Sequence, residues 1–215
     1  MKLTTAKLTG LFYLGLAITG MVAYLFARDK LYVEGDAVAT AANLIKDESM
    51  ARVGIAAEVA LVGFQALAAV WFYKLFRKTD SFSAGLIGVF GMVNAVAILI
   101  ASAMWVGALN VALAGPEVLA LGNSQLLFDI HEYIWQVAAL FFGLWLIPMG
   151  YVAMKAKFPT ALGWFLIAGG VGYVLSTFVT ILLPEQTTLA EVLPMPATVG
   201  EFWMIGYLLF KKVKI

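Results

Sequence analysis

The sequence contains no cysteine and a single histidine, and only 13% of its 215 residues are charged. The missing cysteines exclude disulfides, thiolate metal sites and cysteine nucleophiles. The formal net charge of +1 argues against a nucleic-acid partner, which would require a basic surface. No nucleic-acid partner is therefore expected.

Apolar residues are abundant instead. Hydrophobic residues make up 63% of the chain and the mean hydropathy is +0.94, whereas soluble domains are nearer half apolar and a quarter charged. A chain this small could not bury so much apolar surface within itself, so its apolar side chains must face lipid. The first apolar run is long and lacks a small-residue cleavage site after it. We therefore expect it to be retained as a membrane span and not removed as a signal peptide.

The apolar runs predict the fold class. A hydrocarbon core roughly 30 Å thick needs about 20 apolar residues of helix, and six windows of the sequence meet this test. The prediction is an all-α integral membrane bundle of six transmembrane helices, forming a single domain over residues 1–215. The predicted spans are about 8–27, 53–73, 84–109, 126–154, 161–183 and 197–210.

The basic residues predict the orientation, because loops rich in Lys and Arg stay in the cytoplasm. Six spans place both termini on one side, and that side carries ten of the 14 basic residues. We therefore expect both termini in the cytoplasm and the spans in the cell (inner) membrane. The ten are Lys2, Lys7, Lys74, Arg77, Lys78, Lys155, Lys157, Lys211, Lys212 and Lys214, and the other four are Arg28, Lys30, Lys46 and Arg52.

The loops on the outer side differ in kind. In the loop over 28–52, Asp36 is a good helix N-cap and is followed by apolar residues at i, i+3, i+4 and i+7 spacing. This pattern predicts a short amphipathic helix that lies on the outer surface over the helix ends. Residues 110–125 and 184–196 contain Pro, Gly and acids without any basic residue, and are predicted to be irregular. The apolar stripe consists of Val38, Ala41, Ala42 and Ile45.

Ionisable residues inside the predicted spans are functional candidates, because a charge is costly to hold in a membrane. Glu58, His131, Glu132 and Glu201 form a candidate polar pocket, since they lie within the outer-leaflet turns of three spans. Helical spacing sets His131 nearly opposite Asp129. We expect His131 to face the bundle and Asp129 to face headgroups and water. Neutral candidates for lining a cavity are Gln65, Asn94 and Gln136.

Imidazole and carboxylates in one pocket allow three kinds of chemistry. Glu58, His131 and Glu201 have the ligand types of a site for zinc, iron or manganese, although no spacing matches a motif such as HExxH. The same groups could form a proton relay, because a histidine beside carboxylates titrates near neutrality. They could also form a buried ion-pair and hydrogen-bond cluster that holds three helices together. The residues alone leave these three open.

Four segments carry a resemblance to a known family: residues 8–14 (LTGLFYL), residues 35–43, residues 142–151 (FGLWLIPMGY), and Phe158-Pro159 followed by Leu162-Gly163. In order and over nearly the whole chain, they resemble a bacterial membrane family catalogued as domain of unknown function 4386. The resemblance implies six spans but no established activity.

The family pattern also implies which polar residues matter. It has an acid early in the second span, a histidine near the start of the fourth and a glutamate early in the sixth, which correspond to Glu58, His131 and Glu201. The family more often has Asp at the first of these positions, so Glu58 departs slightly from it. Glu132 and Asp129 do not match the pattern.

Three functions fit these features. The first is a membrane-embedded enzyme or binding protein for a lipid or other small amphiphile, with a divalent metal ion that activates water and a spare Glu as general base. The second is a non-catalytic accessory or sensor subunit of a membrane complex, partnered by another membrane protein or by a second copy of the chain. The third is a small transporter, for which the inner halves of the spans offer few ionisable groups. The lipid bilayer is a partner in every case.

Overall fold

The computed structural model describes residues 4–115 and 118–213, with the side chains of 118–121 outside the description. Regular structure in these ranges is entirely helical. Six helices within them are long and apolar enough to cross a membrane, which confirms the prediction of a multi-pass, all-α membrane protein. The spans, numbered first to sixth, are Thr5–Leu31, Glu48–Phe76, Ser81–Leu113, Gly122–Lys155, Thr160–Leu182 and Thr187–Phe210.

The first span consists of three helical segments. An α-helix over Thr5–Met21 continues as a π-helix over Val22–Arg28, and one further α-helical turn covers Asp29–Leu31. A π-helix hydrogen-bonds residue i to i+5, so its turn is wider than that of an α-helix. The side chains that follow it are therefore rotated relative to those of an unbroken α-helix.

Two segments that were predicted to be irregular are largely helical. The third span continues to Leu113 and the fourth-span helix already begins at Val118. A short helix over Thr187–Val192 precedes the helix Met195–Phe210 of the sixth span. The prediction was wrong here because hydropathy locates the hydrocarbon core, whereas a helix near a bilayer continues as long as it satisfies its own backbone groups. Residues 116 and 117 lie outside the described residues.

A short helix over Ala37–Lys46, called the loop helix below, connects the first two spans. It begins at Asp36, whose carboxylate accepts a hydrogen bond from the Ala39 N–H at 2.9 Å. Its buried residues are Thr40, Ala41 and Leu44, so the buried face differs from the predicted apolar stripe, of which Val38 is 65% exposed. Thr40 can face inward because its hydroxyl accepts from the Val33 N–H and donates to the Val33 carbonyl, both at 3.0 Å.

The chain divides into two compact units, each with its own core. The smaller unit comprises Gly15–Gly63 and Val96–Trp135, and the larger comprises residues up to Leu14, Phe64–Ala95 and residues from Gln136 onward. The single domain predicted over residues 1–215 stays a prediction.

The core of the smaller unit is built around two aromatic side chains from two spans. Trp105 and Phe128 pack with their ring centroids 5.5 Å apart, and Leu31 and Leu44 bury against the same cluster. Most of the other buried residues in this cluster are alanines, and their small side chains let the helices approach closely. The loop helix is therefore part of this core through Leu44.

In the larger unit, glycines bring the fourth and fifth spans into close contact. Gly143 faces Gly170, and Gly150 faces Gly163, so that a Cβ added to any of the four would meet the backbone carbonyl of its partner. Small residues allow membrane helices to pack at short range without a hydrophobic driving force. The glycines therefore let the fourth and fifth spans lie close together at these positions.

Candidate functional site

The one histidine of the chain lies between two carboxylates in the smaller unit. The His131 side chain is 1% exposed. Its Nδ1 is 3.0 Å from Oε1 of Glu132, and its Nε2 is 2.9 Å from Oε2 of Glu58. A hydrogen bond at each nitrogen requires a proton at each contact, since a bare ring nitrogen and a carboxylate oxygen both carry lone pairs. The geometry therefore matches an imidazolium that donates to two carboxylates.

Glu132 also binds an arginine from the first span. The Arg28 Nε donates to Oε1 of Glu132 at 2.8 Å, and Nη2 donates to Oε2. This two-pronged contact is the strong geometry of guanidinium–carboxylate pairs. The remaining terminal nitrogen, Nη1, donates at 2.7 Å to Asp29, whose side chain is 43% exposed.

The π-helix explains how Arg28 reaches this position. Arg28 is the last residue of the π-helical segment, and its guanidinium carbon lies 4.7 Å from the ring centre of Tyr24 and 5.3 Å from that of Tyr32. Both rings thus contribute cation–π attraction to a charge held near apolar surroundings. Together they hold the guanidinium in place beside Glu132.

Glu58 is held by the third and fourth spans. Its Oε1 lies 2.9 Å from the Ser102 hydroxyl and 3.4 Å from Nε1 of Trp135, which donates to it. Ser102 Oγ is also 2.9 Å from the Ile98 carbonyl. Because a hydroxyl has one proton, it donates to only one of these acceptors at a time.

These groups form one connected set, called the histidine network below and composed of Arg28, Glu58, Ser102, His131 and Glu132. It joins the first four spans within the smaller unit. With His131 doubly protonated, two positive charges balance two carboxylates, which is the condition for holding charges away from water. The walls are apolar, since Trp105 and Phe128 lie edge-on to the imidazole at 5.3 and 5.5 Å.

Glu201 lies in the larger unit and has a different partner. Its Oε1 accepts a hydrogen bond from the Tyr13 hydroxyl at 2.5 Å. The Tyr13 ring is 2% exposed and lies edge-on to Phe72 and Trp145. The structure thus brings Glu58, His131 and Glu132 together and pairs Glu201 with a tyrosine.

The predicted metal site gains no support from these contacts. Across residues 4–115 and 118–213, no group of three or more His, Cys, Asp or Glu side chains is arranged to hold a metal ion. The chemical reason at His131 is that both ring nitrogens already contact carboxylates. A metal ligand needs one nitrogen with a free lone pair.

The neutral candidates divide into two groups. Gln65 and Asn94 are buried, and they donate to the carbonyls of Gly91 at 3.4 Å and Ala138 at 3.1 Å. These contacts join neighbouring helices, as polar side chains in membrane proteins commonly do. Gln136, in contrast, is exposed.

Asp129 is half-buried and does not simply face water. It accepts hydrogen bonds from the Tyr32 hydroxyl at 2.6 Å and from Gln125 Nε2 at 2.8 Å. Tyr32 lies between the first span and the loop helix, and partial burial together with the bond to Asp129 raises the pKa of its phenol. Asp129 therefore anchors the loop that carries Tyr32, on a helix face separate from that of His131.

Comparison with known families agrees with the resemblance noted in the sequence. The family model described as Domain of unknown function (DUF4386) matches residues 8–211. The chain belongs to this family. No curated protein and no solved structure matches it. For this DUF4386 member, function has to be argued from the histidine network and from the rest of the molecule.

Sequence reasoning missed two members of the polar sites of this DUF4386 protein. Arg28 was counted only as a loop charge, although it directly follows an apolar run and has tyrosines at positions 24 and 32 on the same helix face. Tyr13 of the first span was not singled out as a polar residue. A phenol within a span is a signal in itself, since its hydroxyl needs a partner when it is buried.

Proposed function

We propose that this protein is a proton-responsive membrane protein, a sensor or accessory subunit in which the proton state of His131 controls the packing of four spans. The observation that carries the proposal is the position of the imidazole, with each nitrogen within 3.0 Å of a carboxylate oxygen from a different glutamate. Histidine is the side chain whose charge ordinarily changes near physiological pH.

Loss of one proton from His131 would break the network at one nitrogen. A bare nitrogen would then face a carboxylate oxygen, and the set would carry a net negative charge in a site where His131 and Glu58 are each 1% exposed. An uncompensated buried charge typically destabilises a structure by about 3–5 kcal/mol. The network is therefore stable while both nitrogens carry protons, and weakens as the pH rises and one is lost.

Such a change would reach the loop helix. Arg28 and Leu31 belong to the same span. Leu31 is buried in the core that contains Trp105 and Phe128, and so is Leu44 of the loop helix. A shift of the first span would thus move the surface on which the loop helix packs. On the orientation predicted from the basic residues, this end faces outward, and the protein would respond to external pH.

The other functions that fit the sequence have less support. Processing of an amphiphile, whether metal-dependent or not, would need an accessible imidazole nitrogen or carboxylate, whereas these are occupied by one another. A transport path would need polar groups that continue beyond the network. Glu58 is followed on its span by Gln65, which instead donates to a helix carbonyl.

The proton state can be measured directly, because the chain contains one histidine. Protein labelled with 15N-histidine and purified with a histidine-free tag would be placed in lipid bilayers and followed by solid-state NMR from about pH 5 to about pH 9. We expect both ring nitrogens to be protonated at the acidic end and one proton to be lost as the pH rises. A ring that stays neutral over the whole range would refute the proposal.

The coupling to packing requires a second measurement. The protection of the loop helix against hydrogen exchange, taken relative to the intrinsic base-catalysed rate at each pH, should be high at low pH and fall after the proton is lost. His131→Gln should abolish this pH dependence of the protection. Glu191→Gln, which changes an exposed carboxylate in the other unit, is the matched control and should leave it intact. Protection that follows pH equally in His131→Gln would show that His131 is not the sensor.

A further inference from the structure

A second site lies in the larger unit and shares no residue with the histidine network. An open apolar pocket with a volume of about 400 Å³ runs between the third, fourth and fifth spans. This volume is within the range of about 300–1,000 Å³ that ligand pockets usually have. Its walls include Leu86 and Phe90 of the third span, Leu144 and Pro148 of the fourth, and Ile167 of the fifth. All of these walls belong to membrane-spanning helices.

The pocket has a polar end. Ser83 and Tyr151 also line it. Each of them contacts one residue of a salt bridge that lies at the ends of the third and fourth spans. The Ser83 N–H donates to Oδ1 of Asp80 at 3.0 Å, and Nζ of Lys155 lies 5.9 Å from the ring centre of Tyr151. Lys155 and Asp80 are 2.7 Å apart, with side chains 48% and 17% exposed.

The two side chains of this salt bridge can form further hydrogen bonds. An ammonium has three donors, and Lys155 uses one of them on Asp80. Asp80 accepts from Ser83 and Lys155 through different oxygens, so each oxygen retains a further lone pair. The contact with Lys155 and the Ser83 N–H also lowers the pKa of the Asp80 carboxyl, which keeps it ionised at neutral pH. An exposed ammonium and a partly exposed carboxylate thus stand side by side next to the polar end of an apolar pocket.

We propose that this pocket binds one phospholipid with a phosphoethanolamine headgroup. An acyl chain would occupy the apolar walls, the phosphate would accept from Lys155, and the headgroup ammonium would donate to Asp80. The argument is charge complementarity: a zwitterionic headgroup matches adjacent charges of both signs. A purely anionic headgroup would place its phosphate beside the Asp80 carboxylate without an ammonium to offset it.

The test is lipid retention measured by native mass spectrometry of the full chain released from detergent. Protein would be titrated with dioleoyl phosphatidylethanolamine, phosphatidylcholine or phosphatidylglycerol. We expect one phosphatidylethanolamine to be retained about five-fold better than either competitor, the difference expected of one exposed charge-assisted contact. Equal retention of the three lipids, or a preference for phosphatidylglycerol, would overturn the proposal.

Two variants and a matched control locate the site. Leu86→Trp fills the pocket and should abolish retention of the bound lipid, whereas Val89→Trp places the same ring on an exposed position of the same helix and should not. Asp80→Asn keeps a helix-capping oxygen but removes the negative charge, so the lipid should still bind while the preference for phosphatidylethanolamine disappears. If Leu86→Trp retains lipid as well as Val89→Trp does, the pocket is not the binding site. Both tryptophan variants should first be shown to keep the helix content of the unaltered protein.

Discussion

Neutralising either Arg28 or Glu132 should destabilise the protein strongly, and neutralising both should cost little more than one. At the 2.8 Å separation of Arg28 Nε and Glu132 Oε1, the attraction between unit charges is about 6 kcal/mol at an effective dielectric constant near 20. The two side chains are 19% and 7% exposed, so water screens them weakly. Removing one partner leaves the other charge unpaired, with an expected loss of about 3–5 kcal/mol.

A double-mutant cycle isolates this interaction. Arg28→Met, Glu132→Gln and the double variant would be compared by their free energies of unfolding in lipid–detergent mixed micelles, with an expected coupling of about 3 kcal/mol. The control is the exposed pair Arg52 and Glu48, at 2.6 Å with side chains 59% and 42% exposed, where Glu48→Gln should cost less than about 0.5 kcal/mol. Single-variant losses that add within about 0.5 kcal/mol would refute the reasoning.

Three further predictions concern the larger unit. Tyr13→Phe removes the hydrogen bond to the sixth-span Glu201 and should cost about 1–3 kcal/mol of unfolding free energy, because the buried Oε1 of Glu201 loses its donor; an unchanged value would contradict a structural role for that bond. Gly172→Ala should lower the melting temperature sharply because its Cβ would meet backbone, whereas Gly85→Ala, with nothing within 4 Å, should leave it unchanged or raise it. Because the bond from Lys155 lowers the pKa of the folded-state Asp80 carboxyl, its stabilising effect is present at neutral pH and is lost as the pH falls below about 4. In melting temperatures measured over a series of pH values, Asp80→Asn should therefore show less decrease below about pH 4 than the unaltered protein. The same decrease in both proteins would contradict the assignment to Asp80.

The spans were predictable because a single physical requirement dominates them. A helix that crosses lipid needs a continuous apolar surface, and no other arrangement of this composition satisfies the backbone. The helix ends were less predictable, as the early start of the fourth-span helix at Val118 shows. Hydrogen bonding determines where a helix ends. A helix that continues past the apolar residues therefore gives no signal in the hydropathy of the sequence.

The polar groups were predicted by depth but not by direction. Position along a span selected Glu58, His131 and Glu132, and the structure places these three side chains in contact. Depth alone does not give the rotation of a helix or its neighbours, which is why Glu201 was grouped with them although its hydrogen-bond partner is Tyr13. Arg28 could not be selected in this way, because it is the last residue of a π-helical segment. A π-helical turn has no periodicity signal in the sequence.

Stability alone does not account for the histidine network. Replacing a buried set of ion pairs by apolar side chains of similar volume is often neutral or stabilising, and the surrounding core of Trp105, Phe128 and Leu31 could extend into that space. What an apolar core cannot do is change with pH. Within the network, a single proton on His131 separates a balanced set of charges from an unbalanced one that touches four spans. The proposed pH switch therefore explains the charge arrangement better than a purely structural role does. The pH dependence of loop-helix protection, compared between the unaltered protein and His131→Gln, distinguishes the two.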